Sequence, residues 1–164
     1  MSECVGFTPI PNRLLITFSV MLATVMQSLD TTIANVALPH MQGSFAATQD
    51  QMVWVLTSYI VAAAIAIPLT GWLAVRFDRK KIFLLSITGF TISSVLCGVS
   101  VNLGQMVLFR LLQGISGAAL VPLSQAILFD INPREHHGRA MSFWGIGVTL
   151  GPILGPVLGG WLTE

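Results

Sequence analysis

Charged residues are scarce in this chain. Asp, Glu, Lys and Arg make up 9% of its 164 residues, whereas soluble domains carry about a quarter. The net charge of +1 gives no sign of the basic surface that a nucleic-acid-binding protein needs. With 54% hydrophobic residues and a mean hydropathy of +0.79, the chain has more apolar surface than an aqueous fold of this size can bury. The sequence therefore predicts a protein whose solvent is the lipid bilayer.

Cysteine and histidine are too few and too scattered to form a metal or disulfide site. Cys4 lies near the N-terminus and Cys97 lies in an apolar stretch. His40, His136 and His137 all fall between apolar stretches. We therefore expect no metal site, and no motif indicates an organic cofactor.

Five apolar segments are long enough to cross the hydrocarbon layer of a membrane, which takes about 20 residues. They run over about residues 14–38, 53–73, 82–100, 105–129 and 140–162. Pro39 is expected to close the first segment. No linker-like stretch divides the chain, so residues 1–164 are predicted to form one all-α transmembrane domain.

The basic residues alternate between successive connections. Seven of the eight lie before the first segment, between the second and third, or between the fourth and fifth: Arg13, Arg76, Arg79, Lys80, Lys81, Arg134 and Arg139. None lies in the other two connections. Because cytoplasmic loops are enriched in Lys and Arg, this pattern predicts a multi-pass protein of the inner (plasma) membrane with a cytoplasmic N-terminus.

Asp30 lies deep in the first segment, where a lone carboxylate is costly. On a helix it shares one face with Gln27, Thr31 and Ala34, so its side chain is expected to point into a polar interior. Asp30 is either a coupling site that gains and loses a proton or a structural acid satisfied by neighbouring hydroxyls and amides. We favour the first because intramembrane acids are functional by default. Gln27, Asp30 and Gln113 are candidates for lining a substrate cavity.

Arg110 lies in the fourth segment and forms a helical stripe with Gln113, Gly114 and Gly117. Arginine stays protonated, so it cannot carry a coupling proton itself. It can pair with a carboxylate and exchange partners as the protein changes state. The alternative is an arginine that reaches along the helix to the outer membrane interface.

Glycine recurs at every fourth position of the fifth segment. Gly147, Gly151, Gly155 and Gly159 would lie along one stripe of a helix, with Pro152 and Pro156 after two of them and Gly160 at the end of the run. A stripe without side chains lets the backbone of another helix approach closely. The prolines remove backbone donors and bend the helix. The run therefore predicts a bent helix packed tightly against a neighbour.

The connection between the second and third segments reads GWLAVRFDRKK over residues 71–81. Positive-inside topology explains its basic residues by itself. A second interpretation is a charged clasp between helix ends. In that clasp Gly71 allows close packing, while Arg76, Asp78 and Arg79, followed by Lys80, pair with each other or cap helix termini.

The second and fifth segments share a short sequence motif. Both end in Gly-Trp-Leu, at residues 71–73 and 160–162, on opposite sides of the membrane. An inverted repeat of three helices, with spans 1–3 and 4–6 as its copies, would give this arrangement.

Taken together, these motifs resemble the major facilitator superfamily, and within it the EmrB/QacA-type multidrug antiporters with fourteen spans. LDTTIANVALPHM (residues 29–41) and MVWVLTSYIVAAAIAIPLTGWLA (residues 52–74) are similar to the first and second spans of that group. GWLAVRFDRKK is a variant of the superfamily's loop motif, LFRLLQGISGAALVP (residues 108–122) matches its fourth-span motif, and the glycine–proline run matches the antiporter motif of span five. The loop motif usually has Asp where this chain has Val75 and Gly where it has Asp78.

The resemblance implies proton-driven export of amphipathic, often cationic, toxic compounds by alternating access. It gives Asp30 the role of protonation site, Arg110 the tuning of the proton and substrate equilibrium, and the glycine–proline helix the closure against proton leak. The implied partners are lipid, drug-like small molecules and, in bacteria with two membranes, a periplasmic adaptor and an outer-membrane channel. The implied parent chain is longer, so the sixth helix, the C-terminal half and much of the surface facing the glycine stripe are expected outside these residues.

Three other interpretations stay open. The protein could be an uptake or facilitative carrier of the same superfamily, or a non-transporting membrane fragment or subunit. The third is a rhomboid-type serine protease, because residues 114–117 read Gly-Ile-Ser-Gly. A nucleophilic Ser116 would need a histidine base at the same depth, and no predicted span contains one. We therefore expect helix packing from these small residues, and no enzyme.

Overall fold

The computed structural model describes residues 13–45 and 48–163, and almost all of them are helical. The helices are α1 (Arg13–Phe45), α2 (Gln49–Arg76), α3 (Arg79–Gly98), α4 (Leu103–Gly117), α5 (Leu120–Ile131) and α6 (His137–Thr163), with a single 3-10 turn at Arg134–His136. Five helical stretches are long and apolar enough to cross a membrane, and α4 and α5 together make one of them. The prediction of an all-α protein with five spans is confirmed.

Polar caps allow the connections between spans to be short. The Thr48 hydroxyl accepts from the amide of Gln51, whose side chain in turn accepts from the amide of Thr48. Asn102 opens α4 by accepting from the amide of Gln105 over 2.8 Å. These bonds satisfy amides that a helix start leaves without partners. The helices therefore begin within a few residues of the preceding helix end.

The first helix does not stop at Pro39. α1 continues to Phe45, so the helix extends beyond the membrane span whose end Pro39 is predicted to mark. A proline deletes one amide donor, and the helix can continue when the turns on both sides keep their own bonds. The apolar part of the helix that can span a membrane ends at Ala37, close to the predicted limit.

The fourth span is interrupted where the sequence predicts one continuous helix. α4 ends at Gly117 and α5 begins at Leu120, with Ala118 and Ala119 in a turn between them. Pro122 has no amide hydrogen for the Ala118 carbonyl, and its ring crowds that carbonyl, which loosens the turn before it. By contrast, α6 runs unbroken through both of its prolines.

Two helix pairs build the bundle. α1 packs along α6, and α2 packs along α4, while α3 lies against α4 and α5. α1 and α6 are the first and fifth spans, and α2 and α4 belong to the second and fourth. Exchanging the first span with the fourth, and the second with the fifth, therefore converts one pair into the other. The pairing therefore has the symmetry that the proposed inverted repeat requires.

Two apolar clusters lie at different depths along α3. The larger contains Val20, Ala23, Ile82, Phe83, Phe90, Ala119, Leu120, Leu123, Leu128 and Ile131. The smaller contains Met52, Val55, Cys97 and Met106. Ser94 lies on α3 between Phe90 of the first cluster and Cys97 of the second. It belongs to a polar layer that the two clusters bracket.

Candidate functional site

A buried ion pair joins the first and fourth spans. Arg110 Nη1 donates to Asp30 Oδ2 over 2.8 Å, and the arginine and aspartate side chains are only 7% and 16% exposed. The hydroxyl of Ser94 donates to the other carboxylate oxygen over 3.3 Å. Three helices thus converge on one carboxylate. Such a charge is tolerated inside an apolar bundle because it is paired and hydrogen-bonded.

The helical stripe that carries Arg110 is buried, together with Gln113, Gly114 and Gly117. Gly114 lets α2 come so close that a Cβ there would lie 3.2 Å from the carbonyl carbon of Tyr59. The backbone contact fixes the depth of α4 against α2. Arg110 ends on Asp30 at that depth, which favours the pairing interpretation over an arginine that reaches to the interface.

Around the ion pair, three buried polar atoms have no hydrogen-bond partner among the described residues. They are Gln27 Oε1, Arg110 Nε and Gln113 Nε2. Gln27, one turn before Asp30, uses its Nε2 to donate to the Tyr59 hydroxyl over 3.2 Å. Buried polar groups of this kind are normally satisfied by water or a ligand. The layer around Asp30 is therefore polar enough to be hydrated.

Two cavities open onto the ion pair. The larger, about 300 Å³, is lined by Asp30, Ser94 and Arg110 together with apolar side chains of α1, α3 and α4. The smaller, about 100 Å³, is lined by Thr31, Tyr59 and Arg110 among others. Arg110 borders both cavities, so a solute, a water or a proton can approach the pair from two sides.

Gln113 lines neither of these two cavities. Its side chain is fully buried between α3 and α4, and its Oε1 lies 3.8 Å from the Sγ of Cys97. The described residues therefore do not support its prediction as a substrate contact. Asp30 lines the larger of the two cavities.

The glycine stripe of α6 packs on α1. A Cβ added at each glycine would approach one α1 side chain in turn: Gly147 faces Met21, Gly151 faces Ser28, Gly155 faces Thr32 and Gly159 faces Val36. The Ser28 hydroxyl donates to the Val148 carbonyl over 3.1 Å and so joins the two helices directly. The expectation that much of the facing surface lies outside this chain is wrong, because α1 supplies it. Gly160 lies off the stripe, and the prolines Pro152 and Pro156 are exposed.

The connection between α2 and α3 contains the helix cap that the clasp interpretation allows, while Arg76, Asp78 and Arg79 form no ion pair with each other in the described part of the chain. Asp78 caps α3, since its Oδ1 accepts from the amide of Lys80 over 3.0 Å. Its φ of −63° is ordinary, so no glycine is needed at this position. Arg76 lies over the ring of Trp72, 5.8 Å from its centroid. A Cβ at Gly71 would meet nothing within 4 Å, so the prediction of close packing there is wrong for the described part of the chain.

Sequence reasoning missed three residues that take part in these polar contacts, namely Asp130, Ser94 and Tyr59. Arg79 pairs with Asp130 at the end of α5 over 2.6 Å, on the same side as the basic connections. Ser94 bonds Asp30, and Tyr59 bonds Gln27. Tyr59 is the single tyrosine of the chain and Ser94 is a polar residue in an apolar span, and both features could have marked them.

Ser116 is a packing residue. Its Oγ would lie 2.7 Å from a Cβ at Gly89, so the serine fills the space that this glycine leaves between α3 and α4. Both histidines with described side chains, His136 and His137, lie at the very start of the fifth spanning stretch, in the 3-10 turn and at the first residue of α6. The geometry therefore favours packing over a serine nucleophile.

Comparison with known proteins agrees with this architecture. Residues 20–164 match the profile described as Major Facilitator Superfamily. The chain is 46% identical over 151 residues to the multidrug export protein EmrB of Haemophilus influenzae, which covers 92% of this chain and 30% of that protein. It is 45% identical over 148 residues to the fatty acid resistance protein FarB of Neisseria gonorrhoeae, covering 90% of this chain and 29% of that protein.

A solved structure has the same helix arrangement. The inward-facing, unoccupied form of a bacterial homologue of the human lysosomal transporter Spinster superposes with a TM-score of 0.84 at 25% identity. The match covers 94% of this chain and 33% of that one. The chain spans about 30% of the length of the curated relatives it matches.

Proposed function

Because the chain belongs to the Major Facilitator Superfamily, we propose that it forms the N-terminal part of a proton-coupled multidrug efflux transporter in which Asp30 takes up the coupling proton. The carrying observation is the Asp30–Arg110 ion pair, buried among membrane-spanning helices and bordered by two cavities. The names of relatives such as the multidrug export protein EmrB support the direction of transport. The remaining helices of a longer parent chain complete the transport path in this proposal.

Protonation of Asp30 would remove the charge that Arg110 binds. The guanidinium cannot lose its own charge, so it must find another acceptor or remain unpaired in an apolar bundle. Breaking a buried pair costs about 3–5 kcal/mol, which approaches the ~5.5 kcal/mol that moves a two-state equilibrium from 1:99 to 99:1. The free-energy change that follows protonation of one carboxylate is thus large enough to bias alternating access.

The same carboxylate can select substrates. It faces a cavity of about 300 Å³ whose other walls are largely apolar, at the lower end of the range for drug-sized ligands. An amphipathic cation would place its charge near Asp30 and its apolar body on these walls. Proton and cationic substrate would then compete for one group, which is the requirement for exchange. In a bacterium with two membranes, the proposal includes a periplasmic adaptor and an outer-membrane channel.

The test is proton-driven efflux of a cationic dye from vesicles that contain the full-length parent protein. Asp30→Asn keeps the size of the side chain but cannot ionise, so we expect it to abolish dye efflux driven by a pH gradient. Asp50→Asn is the matched control, because Asp50 is exposed in the first turn of α2. Asp30→Glu, which keeps a carboxylate, should restore part of the transport and thereby show that the Asn variant lost chemistry rather than its fold.

Undiminished pH-driven efflux by the Asp30→Asn variant would remove Asp30 from the coupling role. Dye movement down its own gradient that persists in the Asp30→Asn variant but no longer depends on the pH gradient would show an intact substrate site and support Asp30 as the proton site. Dye uptake instead of efflux by the unmodified protein would contradict the proposed direction.

A further inference from the structure

Two cavities lie at the end of the bundle that carries the basic connections, and they differ in charge. The first, about 450 Å³, is formed by the start of α1, the turn before α6 and the first turns of α6. Among the described residues, its lining includes Arg13, His136 and Arg139 and contains no Asp or Glu. We call it the basic pocket.

The second cavity is nearly the same size, but the charges of its lining side chains cancel. It measures about 500 Å³ and is lined by Arg79 and Lys80 together with Asp78 and Asp130. Arg79 is already paired with Asp130 over 2.6 Å, and Asp78 is held at the start of α3. Of these two cavities, only the basic pocket has positively charged side chains without a carboxylate beside them among its described lining residues.

The basic pocket has a positioned guanidinium. Arg13 Nη2 donates to Asn132 Oδ1. Asn132 is itself buried and fixed, because its Nδ2 donates to the Leu128 carbonyl over 2.7 Å. A guanidinium has five N–H donors, and this bond uses one of them. Asn132 thus orients Arg13 at the pocket wall without neutralising it.

An apolar rim accompanies the basic wall. Leu14 is 86% exposed and Phe143 is 53% exposed, and both line the pocket beside Ala140. Side chains of this kind offer nothing to a small inorganic anion, but they suit an acyl chain. The pocket therefore combines an anion-binding wall with an apolar exit towards the bilayer.

We propose that the basic pocket binds the phosphate headgroup of an anionic phospholipid of the cytoplasmic leaflet, with Arg13 and Arg139 on the phosphate and an acyl chain along Leu14 and Phe143. The alternation of basic residues puts this end of the bundle on the cytoplasmic side, where anionic lipids attract basic side chains. Basic pockets between spans on that side are the type of site that holds phospholipid headgroups. The inference does not depend on the transported substrate.

The experiment counts lipids that stay bound to the purified full-length protein in native mass spectrometry. Phosphatidylglycerol and phosphatidylcholine with identical acyl chains are titrated against the unmodified protein, Arg139→Gln and the matched control Arg134→Gln. Both arginines are exposed, lie five residues apart and make no side-chain hydrogen bond within the described residues, but only Arg139 lines the pocket. Neither replacement should disturb the fold, which size-exclusion chromatography checks.

We expect Arg139→Gln to weaken phosphatidylglycerol binding about fivefold, the effect of one basic residue near an anionic lipid surface. Arg134→Gln should leave it unchanged, and phosphatidylcholine should bind more weakly than phosphatidylglycerol to the unmodified protein. Equal losses in the two variants would assign the effect to general surface charge and overturn the proposal. Displacement of the lipid by millimolar inorganic phosphate would show a site for free phosphate and would overturn it as well.

Discussion

Gly151 and Gly145 lie in the same helix but have opposite surroundings. A Cβ at Gly151 would lie 2.5 Å from the Cβ of Ser28 and 2.9 Å from its backbone carbonyl carbon. A Cβ at Gly145 would meet nothing within 4 Å. Backbone atoms cannot move aside as a flexible side chain does, so the two positions should respond differently to the same added methyl group.

Gly151→Ala is expected to destabilise the protein by about 1–3 kcal/mol, the usual cost of overpacking. Gly145→Ala should be neutral or stabilising by up to about 1 kcal/mol, because alanine has the higher helix propensity. Thermal unfolding of the purified variants in one detergent measures both. Equal stability of the two variants would contradict the close approach of α6 to α1.

The ion pair shows which properties of single residues can be predicted from the sequence and which cannot. Asp30 and Arg110 are both recognisable as intramembrane charges, and each can be assigned to a helix face. Their pairing is not readable, because 80 residues separate them and spacing along the chain does not say which spans touch. The contact depends on Gly114, whose missing side chain sets the depth of α4 against α2. The same limit explains Gly71, since a glycine permits close packing only where another helix is present.

At the scale of helices, Pro122 is responsible for a local break that hydropathy does not reveal. The apolar pattern continues from α4 into α5, so the sequence predicts one span and the structure agrees on the span. The loss of regular helix at Ala118 and Ala119 comes from one missing amide donor and one crowded carbonyl. Pro39 has the same chemistry without the same result. Span number is therefore predictable from composition, whereas the regularity of each helix depends on neighbouring turns.

Pro122→Ala is expected to supply the missing donor to the Ala118 carbonyl and to join α4 and α5 into one helix. An interior proline costs a helix about 3 kcal/mol, so amide hydrogen exchange at Leu120 and Val121 should slow clearly. Pro68→Ala in α2 is the control, because α2 is continuous through its proline. If exchange near residue 120 stays as fast as before, the proline is not the cause of the break.

At the scale of the whole molecule, the bundle consists of two close helix pairs with a polar layer between them. In the α1–α6 pair, four glycines in successive turns face α1, and the Ser28–Val148 hydrogen bond adds a direct connection. Sliding would drive Ser28 and Thr32 against the backbone of α6. We therefore expect α1 and α6 to move as one body in a transport cycle, with rearrangement concentrated at the Asp30–Arg110 contact.

A disulfide between positions 36 and 159 tests this expectation. A Cβ at Gly159 would lie 3.2 Å from the Cβ of Val36, close to the separation that a disulfide spans. In the full-length protein with Cys4 and Cys97 replaced by serine, Val36→Cys with Gly159→Cys should cross-link under mild oxidation. Transport in vesicles should be the same before and after reduction with dithiothreitol. Transport that returns only after reduction would show that the two helices must separate.

The distance in sequence between Asp30 and Arg110 has a consequence for biosynthesis. The carboxylate leaves the ribosome 80 residues before its partner, which at a synthesis rate of about 5–20 residues per second is an interval of roughly 4–16 s. During that interval the first span must enter the membrane with an unpaired acid, at an insertion cost of about 2.5–3.5 kcal/mol. Asp30 gains its basic partner only when the fourth span lies beside the first. The ion pair therefore forms only late in membrane insertion.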